Sequence, residues 1–262
     1  MRSVKIILIL ILLLPNLSWA SLKGAFRRQD LFLRELKGKV KVLKEISYET
    51  VRKNGKLIKG RRKTYQNLAN DICMFFNRDG HLIENREFNS AGDLENKEIY
   101  EYNKTGDMIN FTRNYLDETT KEKLIFEYDK IHNLIIEKYY TSIPTKTIYQ
   151  YDNKGYLIEQ IMSGPGGHGF FKKSFYVYDN KGNLIEMKEY EYVFKTLCKT
   201  TYEYDRHGNL KKEIYYNSKG KLEDEFTYEY LRFDNKGNWT KRILYINGIP
   251  RFIIEREIKY YD

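Results

Sequence analysis

The chain has 262 residues, with 46 lysines and arginines against 36 aspartates and glutamates, which gives a net charge of +10 at pH 7. Its 24 tyrosines and 14 phenylalanines are the expected core material, and two cysteines exclude a disulfide scaffold. The basic excess suits anionic envelope polymers or nucleic acid. Alternating lysine and glutamate on solvent-facing strand surfaces explains it better, because such charges deter aggregation.

The first segment, Met1–Ala20, is typical of a secretion signal. Arg2 and Lys5 form a basic start, Ile6–Leu14 is apolar, and Ser18–Ala20 is a small-x-small cleavage site. The apolar run is shorter than the about 20 residues of a membrane-spanning helix. The residue directly after the cleavage site is Ser21 and not the cysteine that a lipoprotein has there. The sequence therefore predicts an exported protein, periplasmic or extracellular, that is not a lipoprotein. The mature chain is expected to lack an integral membrane segment, and export argues against a nucleic-acid partner.

The next segment, residues 21–50, is predicted to cap the fold. Ser21–Leu36 lacks strand alternation and favours a short helix, whereas residues 36–48 have the pattern of a first strand. A stack of repeats needs such a cap at its ends.

Residues 51–262 repeat one short unit, seen most clearly at Tyr151–Glu159 and Tyr178–Glu186. An aromatic or apolar residue stands four places before a glycine, and an apolar residue stands two places after it. The turn glycines are Gly55, Gly80, Gly92, Gly106, Gly155, Gly182, Gly208, Gly220 and Gly237. His132 takes the place of the glycine in one further copy.

Each unit predicts a β-hairpin. Asp179 suits the first position of a type I turn, and Gly182 supplies the left-handed residue of a glycine bulge, which gives a three-residue loop. Counting outward from this loop predicts that Tyr178 faces Leu184 and that Val177 faces Ile185. Turn chemistry also explains the acidic and amide residues better than a calcium loop does.

The strands that lead into the turns alternate between aromatic and charged residues. This period of two predicts a buried aromatic face and a wet charged face. The fold class predicted is all-β: an array of antiparallel hairpins that forms one long, twisted, curled sheet of roughly twenty strands. In an open array Cys73 and Cys198 lie too far apart for a disulfide, so we expect two buried free thiols.

One stretch breaks the repeat. Ser163–Gly169 is glycine-rich, and such a loop can admit a ligand close to its backbone, with His168 as a polar contact. A flexible surface loop is the simpler interpretation, and the stretch lacks the features of a phosphate-binding loop.

The sequence holds no signature of catalysis. The histidines and cysteines lack metal-ligand spacing, and there is no Gly-x-Ser-x-Gly elbow. We therefore expect no enzymatic activity, no metal and no cofactor.

The Tyr-Asp-x-x-Gly-Asn-Leu segments at Tyr178–Leu184 and Tyr204–Leu210 resemble the YD repeat of the rearrangement-hotspot (Rhs) family. The resemblance covers residues 75–240 and is strongest to small exported bacterial members. It implies a curled sheet of hairpins and carries over no catalytic residue.

Two functional hypotheses follow. The first is an exported, non-enzymatic binding or scaffold protein that presents an extended sheet to a glycan or an envelope protein, since exposed rings can stack on sugars. The alternative is a shell fragment or accessory partner of a secreted Rhs-type toxin. The candidate binding residues are Tyr140, Tyr156, His168, Phe170, Phe171, Tyr190 and Trp239.

Overall fold

The computed structural model describes residues 36–64, 71–115, 121–128, 134–140, 145–164 and 170–262. These residues form seventeen β-strands: β1 (Val40–Lys53), β2 (Lys56–Arg62), β3 (Asp71–Phe76), β4 (Leu82–Phe88), β5 (Leu94–Tyr102), β6 (Met108–Tyr115), β7 (Lys121–Tyr128), β8 (Leu134–Tyr140), β9 (Thr145–Tyr151), β10 (Leu157–Ser163), β11 (Phe170–Tyr178), β12 (Leu184–Glu191), β13 (Thr196–Tyr204), β14 (Leu210–Tyr216), β15 (Leu222–Phe233), β16 (Trp239–Ile246) and β17 (Ile249–Tyr260). The all-β prediction is confirmed. Long strands, such as the 14 residues of β1 and the 12 of β15, explain why fewer than twenty are found here.

The sheet is antiparallel, and its two ends meet at β1. From β3 to β17 each strand pairs with the next one along the chain. β1 then pairs with β17 along one flank, and on its other flank with β3 over Val42–Glu45 and with β2 over Tyr48–Lys53. The curled sheet predicted from the repeat is therefore present, and its pairings return to the strand where they began.

The turns have the predicted geometry. The Asp179 N–H donates to the Asn183 carbonyl at 2.9 Å, and the Gly182 N–H donates to the Asp179 carbonyl at 3.1 Å. Gly182 has φ of 85°, which a residue with a side chain adopts at a cost. Oδ1 of Asp179 accepts the backbone N–H groups of Lys181 and Asn183 at 2.9 and 2.8 Å. The aspartate thus shapes the loop, and the glycine permits it.

One part of the predicted register is wrong. Tyr178 does pair with Leu184, but Val177 pairs with Glu186 rather than with Ile185. The bulge continues for one residue into β12, so Ile185 has no partner of its own and the register shifts between Val177 and Tyr178.

The strands alternate as expected. Tyr100, Tyr176 and Tyr202 are buried on the inner face, whereas Glu101 and Glu203 are exposed on the outer face. Inner-face residues of other strands are also sealed from solvent, namely Phe111, Leu124 and Leu157 at 0% exposure. The inside of the curled sheet is therefore filled with side chains.

A series of tyrosine hydroxyls joins several hairpins to earlier ones. The Tyr178 hydroxyl donates to the Leu157 carbonyl at 2.9 Å. Burial raises the pKa of this hydroxyl, so it remains a donor at physiological pH. The same bond joins Tyr102 to Leu82, Tyr128 to Met108, Tyr204 to Leu184 and Tyr230 to Leu210. Near the end of the chain, the Tyr261 hydroxyl donates to the Phe76 carbonyl at 2.6 Å.

Replacing Tyr178 with phenylalanine is expected to lower the free energy of unfolding by about 0.5–1.5 kcal/mol, because one buried hydrogen bond is lost while the ring remains. Denaturant unfolding measures this loss. Tyr216→Phe is the matched control, since the structure describes no hydrogen bond of the Tyr216 hydroxyl, and we expect a change within about 0.5 kcal/mol. Equal stability of the two variants would show that the hydroxyl series contributes nothing.

The inner face also holds buried charges. Glu98 and Arg113 form an ion pair whose side chains are 4% and 6% exposed, with Arg113 Nε 2.9 Å from Glu98 Oε1. Glu98 Oε2 also accepts Asn85 Nδ2 at 2.8 Å and the Tyr100 hydroxyl at 2.7 Å. This carboxylate has the multiple partners that a buried charge requires.

The thiols differ from the prediction. Both cysteines are free, as expected, but Cys73 is half-buried and Cys198 is exposed. Cys73 lies between the buried Ile72 and Met74, which puts it on the outer face. Cys198 lies in β13, three residues after the exposed Lys195.

Several predictions fall on residues that the structure does not describe. They are the signal segment, the helix before Leu36, the His132 turn and the loop at 165–169. β1 runs from Val40 to Lys53, past the end of the strand predicted over residues 36–48.

Candidate functional site

The predicted binding residues are distributed over different parts of the molecule. Phe171 and Tyr190 both lie on the outer face, in the adjacent strands β11 and β12. Tyr156 lies at the opposite end of the sheet, where its ring stacks on Tyr178 with a centroid distance of 5.0 Å. Tyr140 and Phe170 belong to β8 and β11, but their side chains, like all of His168, fall outside the described part.

Trp239 was expected to be an exposed ring, and this is wrong. It is 2% exposed. The guanidinium carbon of Arg242 lies 4.3 Å from the ring centroid, and that of Arg256 lies 3.3 Å from it. Nε of Arg256 donates to Glu45 at 2.8 Å. The Trp239 ring is thus buried and in contact with two guanidinium groups, so no ligand can stack on it.

A group of exposed rings lies on the outer face where β11, β12 and β13 approach the 192–195 turn. We call it the aromatic end surface. It consists of the rings of Phe171, Phe175, Tyr190, Tyr192 and Phe194 and of the aliphatic Leu197, which pairs with Tyr190. Their exposure ranges from half-buried at Tyr190 to 48% at Phe194. Contiguous exposed apolar groups of this kind are uncommon on isolated proteins and mark interaction sites.

Strand pairing sets the positions of these rings. The Tyr192 N–H donates to the Phe171 carbonyl at 3.0 Å, which places the two residues side by side. Tyr190 pairs with Leu197 on one flank and with Lys173 on the other. The rings of Tyr190 and Tyr192 meet edge to face at a centroid distance of 4.8 Å. Strands β11, β12 and β13 therefore position Phe171, Phe175, Tyr190 and Leu197, whereas Tyr192 and Phe194 lie in the 192–195 turn.

Lysines lie between the rings. Lys173 Nζ is 5.0 Å from the Phe175 ring centroid and 3.0 Å from a Glu159 carboxylate oxygen. Two strands further on, in β13, Lys199 Nζ lies 4.6 Å from the centroid of the Tyr216 ring, which borders the surface in β14. The surface therefore offers flat apolar faces beside hydrogen-bond donors, a combination that suits ligands with both apolar and hydroxylated faces.

The turn itself contributes residues that the sequence reasoning missed. Val193 is 67% exposed, the largest value among the exposed large apolar residues described. The available signal was the run Tyr192-Val193-Phe194 at a turn that lacks the aspartate and glycine of the repeat. Lys195 supplies the positive φ, 51°, in place of glycine.

A groove of about 350 Å³ lies elsewhere, beside the 205–209 turn, and its lining includes Asp205, His207 and Tyr230. The Asp205 carboxylate accepts the backbone N–H groups of His207 and Asn209 at 2.8 and 2.9 Å. Burial acts to raise the pKa of Asp205, but hydrogen bonds from Asn209 outweigh this effect, so the pKa lies below its usual value. This carboxylate is committed to its turn, so the groove offers no reactive pair.

The buried carboxyl of Glu213 is a further titratable group. It accepts the Tyr215 hydroxyl at 2.6 Å and the Tyr228 hydroxyl at 3.4 Å. Burial raises the pKa of Glu213, against the effect of those bonds and of Arg242. Burial also raises the pKa of Tyr215 and of Tyr228. These groups lie inside the sheet, where they satisfy one another.

Within the described ranges, no three histidine, cysteine or acidic side chains are grouped so that they could hold a metal ion. A search of the same residues for a helix long and apolar enough to cross a membrane found none.

No protein-family model matches the chain, and no curated protein matches it. Among solved structures it is similar to a porin-like protein from Bacteroides uniformis, with 10% identity, a TM-score of 0.56, and coverage of 85% of this chain and 99% of that one. A porin-like protein from Bacteroides vulgatus matches with 15% identity, coverage of 86% and 99%, and a TM-score of 0.44. The TcdB2-TccC3 structure matches with 16% identity, coverage of 79% and 11%, and a TM-score of 0.33. The first likeness concerns the fold alone, and the lower TM-scores of the other two carry no argument.

Proposed function

We propose that the chain is an exported, non-enzymatic binding protein whose curled sheet presents the aromatic end surface to a glycan. The observation that carries the proposal is the group of exposed rings, in which Tyr190 is fixed by strand pairing and Tyr192 is tied to Phe171 by a backbone hydrogen bond, with Phe171, Tyr192 and Phe194 at 36–48% exposure. Rings held in place in this way lose little conformational freedom when a ligand stacks on them.

The chemistry of the surface supports a sugar rather than a purely apolar ligand. Lys173 and Lys199 lie against aromatic faces, and the ion pair between Lys173 and Glu159 adds both a donor and an acceptor beside them. A pyranose has an apolar face of C–H groups and a rim of hydroxyls, and the two parts fit the rings and the charged groups respectively. The secretion signal that the sequence predicts at Met1–Ala20 supports a role outside the cytoplasm.

A glycan array tests the proposal, followed by titration of the best glycan against variants. Replacing Phe171 and Tyr192 together with alanine is expected to weaken binding by about tenfold or more, because central aromatic residues dominate such interfaces. Phe233→Ala is the matched control, since this ring is 43% exposed but lies outside the surface. We expect it to bind like the unmodified chain.

Two results would contradict the glycan proposal: an array without a hit, and a hit whose affinity is unchanged in the Phe171/Tyr192 double variant. A protein captured from envelope extract through the same two rings would instead favour a scaffold or accessory role.

A further inference from the structure

The β1–β2 hairpin leaves one strand edge unpaired. β1 is paired along both flanks, by β17 on one side and by β2 and β3 on the other. Among the strands that the structure describes, β2 alone has a single hydrogen-bonded neighbour. A row of backbone N–H and C=O groups on such an edge is a template for a further strand.

The hairpin geometry identifies the groups on this edge. Asn54 and Gly55 both have positive φ, 49° and 76°, as in a two-residue type I′ turn. In such a hairpin Lys53 and Lys56 exchange backbone hydrogen bonds, and the residues of the next pair, which includes Leu57, point theirs away from each other. Leu57 and, two residues on, Lys59 therefore present N–H and C=O groups to the unpaired side.

The strand is tightly seated on β1. A Cβ added at Gly60 would lie 2.7 Å from side-chain carbons of both Glu49 and Val51, so only glycine allows this approach. The register also shifts here, between Tyr48 and Thr50. The accessible edge thus runs over Lys56–Lys59, on a strand with a fixed position.

The charge of the hairpin is uniform. Residues 50–64 contain seven basic residues and no acidic residue, namely Arg52, Lys53, Lys56, Lys59, Arg61, Arg62 and Lys63. Four of them have acidic partners: Lys59 with Glu255 at 2.7 Å, Arg61 with Glu49 at 3.1 Å, Arg62 with Asp71, and Lys63 with Glu49 at 4.0 Å. For Lys53 and Lys56, which flank the turn, the described residues provide no acidic partner. An occupant of this edge therefore meets a positive field.

Apolar residues alternate with these charges. Val51 and Ile58 are cross-strand partners and are 41% and 40% exposed. Ile58 shares its face of β2 with Lys56, and on the opposite face Leu57 lies beside Lys59. A strand added to this edge thus has a lysine and an aliphatic neighbour on each of its faces.

We propose that the free edge of β2 binds an extended protein segment in which acidic and aliphatic residues alternate, so that the segment joins the sheet as an additional strand. Main-chain hydrogen bonds to Leu57 and Lys59 supply the pairing, and Lys53 and Lys56 select acidic side chains. This inference is independent of the glycan proposed for the aromatic end surface.

The probe is a fluorescent peptide of about eight residues, the length of a typical strand, that alternates glutamate with valine. Fluorescence anisotropy with the full chain is expected to show saturable binding. Leu57→Pro removes the outward N–H without touching a β1–β2 hydrogen bond, and we expect it to weaken binding by about tenfold. Exchange of both Lys53 and Lys56 for glutamate is expected to weaken binding at least as much. The matched control is the same exchange at Lys219 and Lys221, in another exposed turn at that end of the sheet, and it is expected to change little.

A peptide of the same charge with two central prolines separates strand addition from simple charge attraction. We expect it to bind at least about tenfold more weakly, because it cannot pair. Equal binding of the two peptides would overturn the proposal, as would binding by anionic phosphatidylglycerol vesicles but not by the alternating peptide. If Leu57→Pro fails to fold, the comparison of the two peptides still decides the question.

Discussion

Replacing Trp239 with alanine is expected to lower the free energy of unfolding by about 3–5 kcal/mol, the usual loss for a large buried aromatic residue. The ring is 2% exposed and lies against the guanidinium groups of Arg242 and Arg256. Its removal leaves a cavity and also takes away the ring that both the buried Arg256 and the half-buried Arg242 contact. Denaturant unfolding followed by far-UV circular dichroism measures the change.

Two variants make the Trp239 result specific. Trp239→Phe retains a ring between the two arginines and is expected to lose clearly less stability than the alanine variant. Phe194→Ala removes a ring that is 48% exposed, and we expect a change of about 0.5 kcal/mol at most. A loss at Trp239 no larger than that at Phe194 would mean that Trp239 is a surface residue after all.

Arg113→Leu is the second substitution with a large expected effect, again about 3–5 kcal/mol. The substitution leaves the Glu98 carboxylate inside the sheet without its cation, although the bonds from Asn85 and Tyr100 remain. Removing one partner of a buried ion pair destabilises a protein by more than the intact pair stabilises it, because the remaining charge stays buried without a counter-charge. Thermal or denaturant unfolding provides the measurement.

An exposed ion pair provides the control for Arg113. Lys188 and Glu186 lie 2.9 Å apart with side chains that are 46% and 26% exposed. Lys188→Ala is expected to change the free energy of unfolding by about 0–1 kcal/mol. If Arg113→Leu behaved like Lys188→Ala, water would have to reach Glu98, contrary to its burial.

The hairpin turns were predictable from the sequence because their determinants are local. Asp179 and Gly182 lie within one loop. The Asp179 side chain accepts a backbone hydrogen bond, Gly182 adopts the positive φ, and together they determine the loop conformation. The bulge was recognised too, but its effect on the register of Val177 was not. The pairing of β1 with β17 could not be predicted, because residues such as Glu45 and Arg256 pair across 211 positions and the repeat pattern, which is local, does not specify this contact.

The candidate site was predicted in part. Phe171 and Tyr190 were named as candidate binding rings, and the structure places both on the outer face of adjacent strands. Trp239 was misassigned as exposed. It stands two places after Gly237, and Leu184, which has the same position in its own repeat unit, is buried too. Val193 and Phe194 were missed because a turn without the repeat residues gives no register from which exposure can be counted.

The pairing of β1 with β17 has a consequence for how the chain acquires its structure. A linear stack of repeats can form from any point and tolerate a missing end, because each unit contacts only its neighbours. Here β1 pairs with β17, so that Glu45 contacts Arg256 across 211 positions, and the Tyr261 contact with Phe76 spans 185 positions. The pairing of β1 with β17 therefore requires a costly loop closure that slows folding. Because the repeat units lie between these two paired strands, the molecule is expected to gain or lose its order as a single unit.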